Sequence, residues 1–114
     1  MDCNAHAGID LHVHSTASDG SLSPIEIIAL ADRLDLGAVA ITDHDTIDGS
    51  RQALAGGIPD RLQFLTGLEI SASWPPSLPG PGSFHLLGYA VRLDDETLNH
   101  TLKKLQNARE HRNP

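Results

Sequence analysis

The sequence is poor in cysteine and in long apolar runs. Cys3 is the only cysteine among 114 residues, so an intramolecular disulfide is excluded, which is typical of a protein kept in a reducing cytosol. No apolar run approaches the roughly 20 residues that span a bilayer. The N-terminus also lacks the basic start and apolar stretch of a signal peptide. We therefore predict a cytoplasmic protein without a membrane segment.

Basic and aromatic residues are scarce as well. Eight Lys and Arg residues stand against 15 Asp and Glu, giving a formal net charge of −7, which disfavours a general binder of nucleic-acid backbones. Aromatic residues make up only 4%, so the core of this single domain must be aliphatic and rich in alanine. There is no glycine-rich phosphate loop with a lysine. Histidine, by contrast, occurs seven times.

Two of these histidines follow a strand pattern near the start of the chain. The segment 9–14 alternates His12 and His14 with Leu11 and Val13, and successive side chains of a strand point to opposite faces. The two imidazoles therefore share one face, where they can bind a transition metal. An isolated His-x-His is nevertheless more often an incidental feature of a polar strand face.

A helix and a second strand follow. Ser23, Pro24 and Glu26 form a capping box with proline in the first turn, and Gly37 is expected to end the helix. Its apolar stripe is predicted to contain Ile27, Ile28, Leu30, Ala31 and Leu34. The almost entirely apolar segment 38–42 predicts a buried parallel strand.

This strand–helix–strand unit should bring distant side chains together. A right-handed crossover places the carboxyl ends of both strands at one edge of the sheet, so His14, Asp43 and His44 should meet there. Ligands bind at that edge in parallel α/β folds. A short second helix is predicted over about 50–55.

The next segments predict a hairpin. A third strand begins near residue 62 and carries Glu69 among apolar neighbours, where a carboxylate needs a partner. The proline- and glycine-rich segment 74–83 is too short for a crossover helix, so 84–91 should fold back as an antiparallel strand. This places His85 close to Glu69. Asp94 is then predicted to cap a last helix, in which Leu98, Leu102 and Leu105 share one face.

The residues with metal-binding chemistry combine imidazoles and carboxylates and include no thiolate. They are His12, His14, Asp19, Asp43, His44, Glu69 and His85. This mixture suits Zn, Mn or Fe. A carboxylate such as Glu69 can bridge two ions, and paired ions can activate a water and assist a phosphoryl displacement.

Five short blocks of the sequence, in order, resemble the polymerase and histidinol phosphatase (PHP) family. They are Asp10-Leu11-His12-Val13-His14-Ser15, Ser18-Asp19-Gly20, Ile41-Thr42-Asp43-His44-Asp45-Thr46, Gly67-Leu68-Glu69 and His85-Leu86-Leu87-Gly88-Tyr89. They most resemble the stand-alone metal-dependent phosphoesterases, a branch that includes nucleoside 3′,5′-bisphosphate phosphatases and a 5′→3′ exoribonuclease.

The resemblance implies a fold and a set of ligands. The α/β fold would be part of a distorted (β/α)₇ barrel, with a β-hairpin and a C-terminal helix, and the full domain would hold up to three divalent ions. One ion would be held by His12, His14 and Glu69, the residues that hold the metal-activated water. Glu69 would bridge to a second ion bound by His85, and Asp19 and His44 would serve a third. Asp43 matches a family position beside the ligands.

The resemblance also implies a substrate class and a departure from the family pattern. The substrate would be a small phosphate ester of nucleotide type, a nucleotide or a short oligonucleotide. Family members are longer, and their later blocks supply a further ligand histidine and an Asp-x-His; we find neither of these blocks after His85. Residues 1–114 are therefore expected to be a truncated N-terminal portion of a PHP domain.

Two alternatives remain open. The chain can be a non-catalytic half-domain that binds metal or phosphate and self-associates through its open sheet edges. It can also be an α/β domain whose histidines are incidental.

Overall fold

The computed structural model describes residues 8–73, 77, 80 and 83–112. Its elements are β1 (Ile9–Val13), α1 (Pro24–Arg33), β2 (Ala38–Ile41), α2 (Asp48–Gly56), β3 (Gln63–Ser73), β4 (Ser83–Tyr89) and α3 (Glu96–Arg112). The four strands form a sheet in the order β1-β2-β3-β4. β1, β2 and β3 pair in parallel, and β4 pairs antiparallel with β3.

This topology confirms the predicted α/β fold, the strand–helix–strand unit and the hairpin. Most of the predicted hairpin loop, 74–83, lies outside the described residues. β3 is long because its first part pairs with β2 and its second part pairs with β4. The sheet therefore changes from parallel to antiparallel within a single strand.

Two apolar clusters hold the helices on the sheet. The first joins α1 and α2 to β2 and is formed by Ile27, Ile28, Ala31, Val39, Ile41, Ala53 and Leu62. The second seats α3 beside β3 and is formed by Ile47, Leu68 and Leu102, with Leu98 and Leu105 packed against them. Burying one such aliphatic side chain contributes about 1.5–3 kcal/mol. The predicted leucine face of the last helix is confirmed.

The start of α1 follows the prediction, but its end does not. The Ser23 side chain accepts from the Glu26 backbone N–H, and the Glu26 side chain accepts from the Ser23 backbone N–H. The helix ends at Arg33, and Leu34 is 62% exposed, so Leu34 does not belong to the apolar stripe. Asp35, with φ 57°, takes the left-handed position that we expected Gly37 to occupy, since a short aspartate tolerates this conformation.

The cap of α3 also differs by one residue from the prediction. The Asp95 carboxylate, not that of Asp94, accepts from the Leu98 backbone N–H at 2.8 Å. Both residues are aspartates and the helix begins one residue later than expected, so the sequence pattern alone did not separate them.

The sheet is strongly curled. The Tyr89 hydroxyl at the end of β4 donates to the Leu11 carbonyl oxygen of β1 at 2.7 Å, although β2 and β3 lie between these strands in the sheet order. This curvature gives a half-barrel, while the strand number of the (β/α)₇ barrel stays a prediction. Within the described residues, no helix combines the length and apolarity needed to cross a bilayer.

Candidate metal centre

A buried carboxylate, that of Glu69, lies at the centre of the site. Glu69 is only 4% exposed. Its Oε1 lies 2.7 Å from His12 Nε2 and 2.9 Å from His14 Nε2. Its Oε2 lies 2.9 Å from His85 Nδ1 and 3.8 Å from His44 Nδ1. Each carboxylate oxygen therefore faces its own pair of imidazoles.

The backbone pairing of β3 fixes the position of Glu69. The Glu69 backbone N–H donates to the Asp43 carbonyl oxygen at 2.9 Å, and the Glu69 carbonyl oxygen accepts from the Asp45 backbone N–H at 2.9 Å. These bonds continue the parallel pairing beyond the end of β2 and place His44 opposite Glu69. On the other side, His85 pairs with Ser71 in the hairpin register, so it lies diagonally across from Glu69 on the same face.

A second cluster shares His14 with the first. His14 Nδ1 lies 2.8 Å from Asp19 Oδ1, and His44 Nε2 lies 3.2 Å from Asp19 Oδ2. We call His12, His14 and Glu69 the Glu69 group, and His14, Asp19 and His44 the Asp19 group; in each, potential ligand atoms lie within 4.8 Å of one another.

The imidazoles favour the ionised form of both carboxylates. Burial raises the pKa of Glu69, but hydrogen bonds with His12 and His14 and the charges of His44 and His14 outweigh burial and lower it. The pKa of Asp19 is likewise raised by burial but lowered overall by the charges of His44 and His14 and by its hydrogen bond with His14. A carboxylate must be ionised to bind a metal ion, so both groups are suited to cations.

A third carboxylate, that of Asp43, does not belong to either group. Asp43 accepts hydrogen bonds from the Ser15 backbone N–H at 2.5 Å, from the Ser15 hydroxyl at 2.6 Å and from the Ser18 hydroxyl at 2.8 Å. The sequence placed Asp43 beside the ligands but did not show that both serines bind it. The only sequence signal was a pair of hydroxyls in the loop that precedes Asp19.

An open cavity of about 520 Å³ adjoins the Asp19 group. Its lining is polar and is formed by Ala17, Ser18, Asp19, His44, Thr46, Asp48, Ser71 and Gln106. The Gln106 side chain connects the cavity to α3, because its amide donates to the Asp45 carbonyl oxygen at 2.8 Å.

The donor set fits divalent metal ions. Imidazole nitrogens and carboxylate oxygens without thiolates suit Zn, Mn or Fe. His44 Nδ1 is buried, and the described residues offer it no hydrogen-bond partner, a cost that a bound cation would remove. The six predicted ligands thus lie close together in the structure, while their roles as metal ligands stay predictions. They are His12, His14, Asp19, His44, Glu69 and His85.

A curled α/β sheet with imidazoles and carboxylates at its carboxyl edge is typical of metal-dependent hydrolases built on barrels. Comparison with protein families gives the particular family: the PHP domain model matches residues 10–112. The chain therefore belongs to the PHP domain family.

Individual relatives agree with this assignment. The chain is 36% identical over 103 residues to a 3′,5′-nucleoside bisphosphate phosphatase of Chromobacterium violaceum, covering 90% of the chain and 34% of the relative. It is 45% identical over 65 residues to a 5′-3′ exoribonuclease of Haemophilus influenzae, covering 57% of the chain and 24% of the relative. The chain thus spans about a third or less of the length of these relatives.

A solved structure supports the fold. The chain matches a Bifidobacterium adolescentis protein, whose assigned name is that of a metal-dependent phosphoesterase, with a TM-score of 0.78 and 31% identity. The match covers 94% of this chain and 36% of that protein. The curled sheet and its helices therefore correspond to about a third of that longer chain.

Proposed function

We propose that this chain supplies the metal-binding half of a phosphoesterase that hydrolyses nucleotide-type phosphate esters. Its substrate would be a nucleoside 3′,5′-bisphosphate or the 5′ end of a short RNA, the classes named for the two relatives described above. We further propose that the barrel of the complete domain is the distorted (β/α)₇ form and that it holds up to three ions.

The observation that supports this proposal best is the division of Glu69 between two pairs of imidazoles. Oε1 faces His12 and His14, whereas Oε2 faces His85 and His44. Such a carboxylate is suited to bridge two cations, one on each oxygen. A solitary buried acid with an incidental histidine would need only one partner.

These contacts support the ligand assignment that we propose. His12 and His14 would hold one ion through the nitrogens that now face Glu69 Oε1, and His85 would hold the ion on the other oxygen. Asp19 and His44 would hold a third. Divalent ions bound here would activate a water and offset charge on the phosphoryl group.

The chain's own residues contribute orientation and polarity. Backbone hydrogen bonds of the sheet fix the position of Glu69 between the histidines, and these imidazoles lower the pKa of its carboxyl group and favour the ionised form. The hydroxyl and amide groups of Ser18, Thr46, Ser71 and Gln106 line the adjoining cavity and can hydrogen-bond the sugar or phosphate oxygens of a substrate.

The test combines elemental analysis with turnover. Protein purified without chelators should contain bound divalent metal. With added Mn²⁺ it should hydrolyse a nucleoside 3′,5′-bisphosphate or a 5′-phosphorylated oligoribonucleotide. Glu69→Ala should lower both metal affinity and activity by more than about 100-fold, and the metal content should fall with the affinity. Losing a residue that only hydrogen-bonds a metal ligand already costs about 10–100-fold in affinity or activity. His100→Ala, an exposed histidine on α3, is the matched control and should change neither.

Two results would overturn the proposal. Stoichiometric metal without turnover of either substrate would support the non-catalytic half-domain instead. Protein that remains metal-free after exposure to Mn²⁺ and Zn²⁺ would show that the histidines are incidental.

A further inference from the structure

We propose that Asp43 is a positioning residue that sets Asp19 between His14 and His44, and so controls metal binding by the Asp19 group. We call residues 15–20, which connect β1 to the segment before α1, the Asp19 loop. This inference rests on the proposed function, because it assumes that the Asp19 group binds a cation.

The first argument is the hydrogen bonding of the Asp43 carboxylate. Oδ1 accepts from the Ser15 backbone N–H at 2.5 Å and from the Ser18 hydroxyl at 2.8 Å, and Oδ2 accepts from the Ser15 hydroxyl at 2.6 Å. All these donors belong to the Asp19 loop. Asp43 itself immediately precedes His44 in the chain, so one side chain connects the loop with the segment that carries the facing histidine.

The second argument is burial. Asp43 is 1% exposed and Ser15 is 0% exposed, so their polar atoms have no access to water as an alternative partner. Leaving a buried donor or acceptor unpaired costs about 1–3 kcal/mol. The hydrogen bonds to Asp43 therefore hold the loop in one position, which an exposed aspartate could not do.

The third argument is close packing around this carboxylate. A Cβ on Gly49 would collide with Asp43 Oδ2 and would lie 2.9 Å from Ser15 Oγ. A Cβ on Gly20 would collide with the His14 carbonyl oxygen. Both ends of the loop are thus pressed against backbone or buried atoms, and the loop has little freedom to shift.

The loop also behaves as one unit. The Ser18 and Gly20 backbone N–H groups both donate to the Ser15 carbonyl oxygen, at 3.0 Å and 2.8 Å. Holding Ser15 and Ser18 therefore holds the residue between Ser18 and Gly20, which is Asp19. Asp19 is itself 61% exposed on its side chain, so burial of its own side chain does not position it.

The Glu69 group shares His14 with the Asp19 group, but its carboxylate is not positioned through the Asp43 side chain. Glu69 is held by backbone hydrogen bonds of the sheet, and none of its contacts passes through the Asp43 side chain. Breaking the link between Asp43 and the loop should therefore affect the two groups unequally. A purely structural role for Asp43 would affect both together.

The test uses Ser18, because truncating the buried Asp43 is apt to unfold the protein. Ser18→Ala removes one of the hydrogen bonds at a half-buried site, and Ser18→Thr restores the hydroxyl. Ser21→Ala, an exposed serine just beyond the loop, is the control. Co²⁺ titration followed by visible absorption and calorimetry measures each binding step, and Asp19→Asn identifies the step that belongs to the Asp19 group.

We expect Ser18→Ala to weaken Co²⁺ binding by the Asp19 group by about tenfold or more. This is the range found when a residue that supports a metal ligand by hydrogen bonding is removed. Every other step should stay within about twofold of wild type. Ser18→Thr should recover most of the loss, and Ser21→Ala should resemble wild type. Equal weakening of all steps, or no weakening of any, would overturn the proposal.

A second readout needs no metal. In metal-free protein at one fixed pH, ring ¹⁵N shifts of His14 and His44 should change in Ser18→Ala, while those of His85 should not. Unchanged His14 and His44 signals would overturn the positioning role. Failure of the wild type to bind Co²⁺ would instead defeat the proposed function, and the ring signals would still decide whether Asp43 positions Asp19.

Discussion

The Glu69 group and the Asp19 group share His14 but are assembled in different ways. In the Glu69 group the carboxylate is buried, lies on a strand, and meets His12 across 57 positions of sequence. In the Asp19 group the carboxylate is exposed, lies on a loop, and is five positions from His14. The sheet backbone holds the first carboxylate, whereas the loop that carries the second is bound by hydrogen bonds that Ser15 and Ser18 donate to Asp43. The candidate metal centre thus combines a part fixed by the sheet with a part that single side chains can disturb.

Removing the shared histidine should have the largest effect. His14→Ala should weaken metal binding by the Glu69 group by more than about 100-fold, because its Nε2 is a proposed ligand there. It should weaken the Asp19 group by about 10–100-fold, because its Nδ1 contacts the Asp19 carboxylate. His12→Ala should weaken only the Glu69 group, and His44→Ala mainly the Asp19 group. Elemental analysis after dialysis measures all three. A His12→Ala variant that lost both groups would show that they are not separable.

A methyl group at Gly49 should disturb the loop-borne group selectively. Gly49→Ala would force the Asp43 carboxylate or Ser15 to move, and overpacking of this kind costs about 1–3 kcal/mol. Urea unfolding should show this loss, and Co²⁺ titration should show a weaker Asp19 group.

Gly56 provides the control for this substitution. It lies in the same helix, and a Cβ there would meet Cγ1 and Cδ1 of the exposed Ile25 side chain, at 3.0 Å and 3.2 Å. Gly56→Ala should therefore be neutral or slightly stabilising, since alanine favours helices. If Gly49→Ala behaved in the same way, the close packing around Asp43 would be of no consequence.

Acid should reveal the difference in burial between the two carboxylates. The pKa of Glu69 lies below its ordinary value of 4.5 in the folded protein. A carboxyl group with a depressed folded pKa stabilises the fold above its unfolded pKa, and this stabilisation is lost as pH falls through the folded pKa. The free energy of unfolding of the metal-free protein should therefore decrease as pH falls below about 4.5.

Substitution separates the two contributions to this acid dependence. Glu69→Gln should make the decrease less steep, because its amide does not titrate in this range. Asp19→Asn should change the slope less, since the exposed Asp19 is more strongly screened by solvent. Denaturant unfolding between pH 3 and pH 7 measures both slopes. A larger change in Asp19→Asn would reverse this comparison.

The smallest effect is expected where neither group is involved. Ser23→Ala removes the hydrogen bond to the Glu26 N–H at the start of α1 and should lower the free energy of unfolding by about 1 kcal/mol. Metal binding by both groups should stay within error of wild type. A change in either group would mean that α1 influences the centre through the segment that follows the Asp19 loop.

Local sequence signals predicted several features correctly. The capping box of Ser23 and Glu26, the leucine face of α3 and the closeness of His85 to Glu69 follow from short patterns and from strand order. The contacts of Glu69 with His12 and His14 were implied only by the family resemblance. The errors concern helix ends. At the end of α1, Asp35 rather than Gly37 takes the left-handed conformation, and at the start of α3 neighbouring aspartates compete to cap the helix. Glycine and aspartate preferences are weak local signals that the surrounding packing can override.

The sequence by itself determined the order of strands and helices and the candidate ligands, because hydrophobic periodicity and parallel crossovers depend on residue spacing alone. Only the tertiary structure decided that each oxygen of Glu69 faces its own pair of histidines, that His14 serves two groups and that Asp43 binds the Asp19 loop. These facts depend on distances of a few ångströms between segments far apart in the chain. Such distances are set by sheet curvature, register and packing, which one-dimensional patterns do not encode.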